Sequence, residues 1–371
     1  MSAAAEATLS RDEAFARIRL LRSPNIGPVS YTQLLRRFGT ASAALEALPD
    51  LAARGGAPYR PAAIDRVERE IASVRKAGAR YLFHGGPDYP VLLAELESPP
   101  PILTVRGDVA LLQRPSIAVV GARNASAAAV KLSRDFATAL AGQGYAVISG
   151  LARGIDAAAH RGALAGMEHG GGTVGVIASG IDISYPPENA ELQEQVACEG
   201  LLIAEMPPGT EPLARHFPHR NRIIAGLATG TLVVEAAPKS GSLITARLAA
   251  EAGREVMAIP GSPLDSRSHG CNQLIREGAI LVQRPEDVVE LLVGFTGQPR
   301  SSFREHAPDY DNPLDDDRAD IAAMLTLAPV AVDELIRQSG ASAGAVQMAL
   351  LELELSGRLV RHAAGRVSLM S

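Results

Sequence analysis

Tryptophan is absent from the 371 residues, and Phe and Tyr together leave the aromatic fraction at 4%. A core built on Ala, Leu, Val and Ile needs none. Cysteine is nearly absent too. Cys198 and Cys271 are too few and too far apart for a metal cluster or a disulfide framework, and they read as reduced thiols of a cytoplasmic protein. No apolar stretch approaches the length of a membrane span, so membrane insertion is not expected. The first residues, MSAAAEATLSRDEAF, lack the basic region and apolar run of a signal peptide. There is no excess of positive charge either: the formal net charge is -5, which argues against a surface that binds nucleic acid all over and confines any such site to a local basic patch. What remains is globular, with 47% apolar residues and a mean hydropathy of +0.08. The length suits two or three domains, and 35 Gly and 25 Pro imply many tight turns.

The chain divides into four stretches. Residues 1–78 read as small helices. The run Tyr31–Phe38 is amphipathic, with Leu34, Leu35 and Phe38 on one side and Arg36 and Arg37 on the other. The turn Asn25-Ile26-Gly27-Pro28 ahead of it fits a helix-hairpin-helix element, whose amides can hold a phosphate, or a simple packing bundle. Residues 79–295 alternate continuous apolar strands with helices: strands at Ser116–Val120, Tyr145–Ile148, Thr173–Ala178, Leu201–Ala204, Leu232–Val234, Val256–Ile259 and Ile280–Val282. That alternation predicts an α/β domain, a doubly wound, mostly parallel sheet of the extended Rossmann-like kind. Residues 296–317 are a Pro-, Gly-, Ser- and Asp-rich linker. Residues 318–371 predict three helices and a hairpin, the winged-helix outline. Their third helix carries Glu352 and Glu354 and no Lys or Arg before Arg358, which favours packing or a protein partner over reading a duplex.

The chemistry sits at the carboxyl ends of the predicted strands, where open parallel sheets bind ligands. The octet Arg215-His216-Phe217-Pro218-His219-Arg220-Asn221-Arg222 crowds guanidinium groups around one aromatic. Arginines pair with phosphates while a ring stacks on a base, so this grouping suits an unpaired polynucleotide. A helix starting near Asn221 would add its amino-terminal dipole beside Arg220. Gly121, Arg123 and Ser126 follow the first parallel strand and open a helix, an anion-holding arrangement in which Ser126 can instead cap. Ser149 and Gly150 follow the second strand, with Asp156 placed to cap the next helix and His160 on that helix reading as a packing histidine. Lys239, Ser240, Gly241 and Ser242 form a second anion nest, and Tyr185 is either a base-stacking ring or an ordinary loop aromatic. Neither the three-glycine dinucleotide fingerprint nor a P-loop is present, so no cofactor is expected. Glu235 is the one carboxylate suited to acid–base work, against anchoring a loop.

The stretches Val120–Ser126, Ser149–Asp156, Ala178–Asn189, Phe217–Gly226, Glu235–Ala246 and Ala258–Gly261 resemble, in order and spacing, the DNA-processing protein A family (DprA, also called Smf). The resemblance implies a cytoplasmic, dimeric protein without catalytic activity that binds incoming single-stranded DNA during natural transformation, protects it, and loads the recombinase RecA onto it. It also implies that Arg123, Phe217 and Arg220 fall on the DNA pocket, bordered by the Ser149-Gly150 and Ser240–Ser242 loops. A basic position that the family carries ahead of the Phe falls at Ala214 or Arg215. Two rival readings predict different chemistry. A nucleotide phosphoribohydrolase-like enzyme would use Glu235, although its Pro-Gly-Gly-x-Gly-Thr run is missing. A regulator would bind duplex DNA through the tail.

Overall fold

The computed structural model describes residues 9–55, 58–167, 170–293, 321–362 and 365–370. Among these, 70–293 form one compact unit, and 9–69 together with 321–370 form another. The expected linker at 296–317 lies outside the described residues.

The amino-terminal helices are α1 (Arg11–Leu21), α2 (Pro28–Phe38), α3 (Ala41–Arg54) and α4 (Ile64–Lys76). Ser10 and Thr40 cap α1 and α3 by accepting from the amides of Glu13 and Ala43, and proline occupies the first position of α2, where no amide hydrogen is missed. Tyr31 and Leu34 of α2 are buried and Arg36 and Arg37 exposed, as the 3.6-residue period requires.

The larger unit runs β1 (Arg80–Phe83), α5 (Val91–Ala94), β2 (Ile102–Gly107), β3 (Ser116–Val120), α6 (Ala127–Gly142), β4 (Ala146–Ser149), α7 (Ile155–Ala165), β5 (Gly172–Gly180), α8 (Ala190–Glu199), β6 (Leu201–Met206), α9 (His216–Leu227), β7 (Gly230–Val233), α10 (Gly241–Glu251), β8 (Glu255–Ala258), α11 (His269–Arg276), β9 (Ile280–Leu281) and α12 (Pro285–Val293). The sheet order is β1-β2-β6-β5-β4-β3-β7-β8-β9. From β6 to β9 every neighbour is parallel, while β2 pairs antiparallel with β6 and β1 with β2. Both faces of the parallel strands are covered. In β3, Ala118 and Val120 join a layer with Ile223, Ile224 and Leu227 of α9, whereas Ile117 and Val119 join Phe136 and Leu140 of α6 on the other face. This two-sided burial is why the strands read as unbroken apolar runs. The antiparallel pair β1–β2 was not expected from the sequence.

The carboxy-terminal stretch folds as α13 (Ile321–Met324), β10 (Val330–Ala331), α14 (Val332–Ser339), α15 (Ala343–Leu355), β11 (Leu359–His362) and β12 (Arg366–Leu369), with strand order β10-β12-β11. This is the winged-helix outline; Ala363 and Ala364, where the sequence places the join of the hairpin, lie outside the described residues.

Two local expectations need correcting. Helix α9 starts at His216, not near Asn221, because Pro218 falls in the first turn, where a helix tolerates it. Asp156 is not the cap of its helix: Gly154 holds that position, and the buried Asp156 carboxylate accepts from the amide of Ala152.

His160 is wholly buried in α7, the packing role its sequence suggested. The Leu151 amide donates to its Nε2 (3.3 Å), so Nδ1 carries the proton and donates to Thr173 Oγ1 (2.7 Å), which donates to Val147 O (3.1 Å). Burial pushes the imidazole down to about 3. Below pH 6.5 the unfolded chain binds a proton here that the folded one refuses, so stability falls with acid between pH 6.5 and about 3. This group alone costs about 2 kcal/mol on going from pH 7 to pH 5. In urea titrations His160→Gln is expected to be less stable at pH 7 yet to lose less than the native protein over that interval.

Candidate nucleic-acid interface

Strand order decides where a ligand can sit. The chain runs outward from β3 through β4, β5 and β6, then returns along α9 to β7 on the other side of β3. The loops after β3 and β7 therefore diverge and leave a crevice at the carboxyl edge of the sheet. A groove of 870 Å³ occupies it, lined by the Gly121–Asn124 loop, the first turns of α9, and the Ala237–Ser242 loop, and reaching Arg267. A deeper recess of 310 Å³ adjoins it over Gly150, Ile177–Ser179 and Tyr185-Pro186. The two share Arg123, Tyr185, Phe217 and Arg220 among their walls.

The helical period of α9 sorts the basic octet. Phe217, Arg220, Asn221 and Ile224 stand three or four residues apart on one face and line the groove. Arg215 is exposed and does not line it; Ala214 does. Arg222 turns away and is committed to Glu205 and to Ser98 O (2.9 Å). The expected crowd of three arginines is thus one, joined by Arg123 from the β3 loop. The guanidinium carbon of Arg123 lies 5.0 Å from the centre of the Phe217 ring, and the Tyr185 ring lies 5.8 Å from it, tilted by 56°. An exposed cation and two rings at these distances form a platform on which a base can stack beside a paired phosphate.

Arg220 is the buried member, 6% exposed, at the floor of both cavities. Its Nη1 donates to Val176 O (3.0 Å), and its Nε has no partner among the described residues. Any side chain at position 150 would collide with this guanidinium, so glycine there is what lets Arg220 lie across the β4 loop. Burial lowers its pKa to about 10, against the pull of Asp156, so it is a cation at neutral pH. Burial raises the Asp156 carboxyl, and Arg220 holds that rise in check. Because α9 begins at His216, Arg220 lies inside the helix and gains nothing from its amino-terminal dipole.

The remaining residues singled out from sequence divide cleanly. Gly121, Asn221, Lys239, Ser240, Gly241 and Ser242 line the groove with Arg123, Phe217 and Arg220, and Gly150 lines the recess. Ser126 and Ser149 line neither. The Ser126 hydroxyl donates to Glu235 Oε2 (2.6 Å) and caps α6 by accepting from Ala129, while its amide donates to Glu235 Oε1 (3.0 Å). The buried Glu235 is therefore a loop anchor. Ser149 is wholly buried and donates to Val119 O (2.7 Å). At the far rim the Ser240 and Ser242 hydroxyls lie 2.8 Å apart, with Lys239 exposed beside them at a left-handed φ of 66°. Neither Arg123 nor Lys239 forms an ion pair among the described residues. Asn124 and Arg153 line the cavities from within the strand-end loops 121–126 and 149–156, whereas Arg267, in the segment after β8, lines the groove and was not singled out from sequence. Among the described residues no group of three or more His, Cys, Asp or Glu is placed to hold a metal ion, and no helix is long and apolar enough to cross a membrane.

Comparison with known proteins gives the same architecture a family. The family model described as DNA recombination-mediator protein A matches residues 80–293, a DprA-like N-terminal HHH domain matches 11–73, and a DprA winged helix domain matches 305–365. The protein Smf of Synechocystis sp. is 35% identical over 309 residues, covering 75% of this chain and 77% of that one. The solved DNA processing protein A of Streptococcus pneumoniae is 36% identical, with a TM-score of 0.64 over 76% of this chain and 98% of that one. That of Helicobacter pylori, a structure concerned with its single-stranded DNA binding mode, is 27% identical with a TM-score of 0.53, covering 58% of this chain and 96% of that one. With the largest domain matched throughout and both flanking domains matched in order, the chain belongs to the DNA-processing protein A (DprA/Smf) family.

Proposed function

We propose that this protein binds single-stranded DNA along the sheet-edge groove, protects it, and delivers it to RecA in the cytoplasm during natural transformation, without catalysing a reaction. The observation that carries the proposal is the convergence of Arg123, Phe217 and Arg220 on one groove whose far rim holds Lys239 and the Ser240–Ser242 loop. A groove of this extent is more than one mononucleotide requires, and it offers both guanidinium groups for phosphates and rings for bases. Family membership and the Helicobacter pylori relative's single-stranded DNA binding mode support the same reading. The enzyme alternative loses its base, since both carboxylate oxygens of Glu235 are engaged by Ser126.

The site residues we assign are those that line the cavities: Gly121, Arg123, Gly150, Phe217, Arg220, Asn221, Lys239, Ser240, Gly241 and Ser242. Arg123→Ala is expected to weaken binding to oligo-dT by about 1–3 kcal/mol and to reduce the slope of log K against log salt by about 0.7. Phe217→Ala is expected to cost about 1–3 kcal/mol while leaving that slope nearly unchanged. Fluorescence anisotropy across a salt series distinguishes the two, and native affinity in both variants would remove the groove as the binding site. On DNA coated with single-strand-binding protein, the native protein should shorten the lag of RecA filament formation, and Arg123→Ala should not.

A homodimer through the sheet unit is part of the proposal. Leu264, after β8, is 96% exposed, and Leu281 on the two-residue edge strand β9 is 47% exposed. Apolar side chains on and near a short sheet edge favour a covering partner. In sedimentation analysis the native protein should run as a dimer and Leu264→Arg as a monomer; a monomeric native protein would end this reading.

A further inference from the structure

The winged-helix tail has a role that the single-stranded DNA reading leaves unexplained. In a winged helix that reads a duplex, the third helix enters the major groove and must present polar side chains to solvent. Here that helix is α15, and none of its thirteen residues is exposed. Its sequence, AGAVQMALLELEL, is apolar nearly all round, the pattern of a helix buried on two sides.

The two sides have different partners. Val346, Leu350 and Leu353, spaced by four and three residues, join Ile321, Leu335 and Val367 in the tail's own core. Met348, Leu351 and Leu355, spaced by three and four, pack into the core of the amino-terminal helices with Leu34, Leu45 and Leu48. Polar contacts fix the register. Gln33 Nε2 donates to Gln347 Oε1 (2.7 Å), and Asn25 Nδ2 donates to Leu355 O (3.2 Å), satisfying a carbonyl that the end of α15 leaves open. Asn25 belongs to the turn ahead of α2 for which phosphate holding was one expectation; its side-chain amide donates to the end of α15 instead. Gly55 closes the contact, because any side chain there would collide with Glu352 O and Ser356.

We propose that the tail is an intramolecular clamp: α15 is committed to the amino-terminal helical domain, so the tail holds that domain in place and reads no duplex. The acidic character of α15 agrees with this. Glu354 is paired with Arg361 of β11, and the helix carries no Lys or Arg that could meet a phosphate.

The test uses the full-length chain and two ways of opening the contact. Gly55→Val drives a side chain into the α15 backbone. The pair Gln33→Glu with Gln347→Glu sets two carboxylates against each other, whereas Gln33→Lys with Gln347→Glu restores attraction. In hydrogen exchange, the amides of Leu350–Leu355 should exchange about tenfold faster or more in both opened forms, with the β3–β8 strands unchanged, and the Lys/Glu pair should return native protection. None of the forms should bind a mixed-sequence duplex more tightly than the native protein. Fast exchange of α15 in the native chain would overturn the clamp. So would a salt-dependent gain of duplex affinity in the opened forms, which would make the tail an occluded reader. Binding to oligo-dT should be unaffected throughout, so this result stands or falls separately from the groove.

Discussion

A buried guanidinium is the constraint around which the groove is arranged. Removing a cation from water is costly unless other groups take the place of its hydration. Arg220 has one carbonyl on Nη1, a nearby carboxyl in Asp156, and an Nε without a partner. It stays charged because burial lowers its pKa only to about 10. The result is a cation whose hydrogen-bonding capacity is incompletely met at the floor of an open cavity. On the proposed reading, a phosphate in the cavity would pair with that cation by a charge-assisted contact. The position tolerates no freedom in its surroundings: Gly150 is needed for the guanidinium to pass, and α9 must begin early enough to carry both Phe217 and Arg220 on its groove face.

Around that cation the loops are stiffened by contacts among themselves. Glu235 at the end of β7 holds the amide and hydroxyl of Ser126 at the end of the β3 loop, so it ties together the two loops that diverge at the strand-order reversal. Ser240 and Ser242 fasten the start of α10 in the same way. Ser126 and Glu235 therefore position Arg123 without lining the groove. On the proposed reading, a rim held rigid would give a stacked base and a paired phosphate a fixed spacing, which lowers the ordering cost of binding a flexible strand.

Much of this was legible in the sequence because two-sided burial writes itself as apolar runs. Every parallel strand could be placed to within a few residues, and with the strands came the rule that the chemistry lies at their carboxyl ends. Gly121, Arg123, Phe217, Arg220 and the Lys239–Ser242 loop, expected at those ends, do line the groove there. The errors have a common origin in periodicity not taken far enough. Once 216–227 is helical, Arg215 and Arg222 cannot share a face with Phe217 and Arg220, and the structure sends Arg222 to Glu205. Ser126 takes the capping role that was its alternative, and neither it nor Ser149 lines the cavities, for a different reason: a hydroxyl at a strand end looks the same in sequence whether it meets an anion, a carboxylate such as Glu235 or a carbonyl such as Val119 O. Only the partner across the crevice, 109 residues away for Ser126, decides.

The tail shows the same limit and a way past it. The lack of basic residues on α15 argued against duplex reading, but what the helix does instead was not stated by charge. It was stated by a second apolar stripe. Met348, Leu351 and Leu355 repeat with the helical period on the side opposite the tail's own core, and a winged helix standing alone has nothing to cover them. Each fully buried leucine of that stripe is worth about 1.5–3 kcal/mol relative to exposure. A surface of that size left to water would be a liability in a free domain. The sequence therefore demanded a second partner for α15, and the amino-terminal helices, whose core is completed by Leu351 and Leu355, demanded one as well. Two ends of one chain, each with an unfinished core, answer each other.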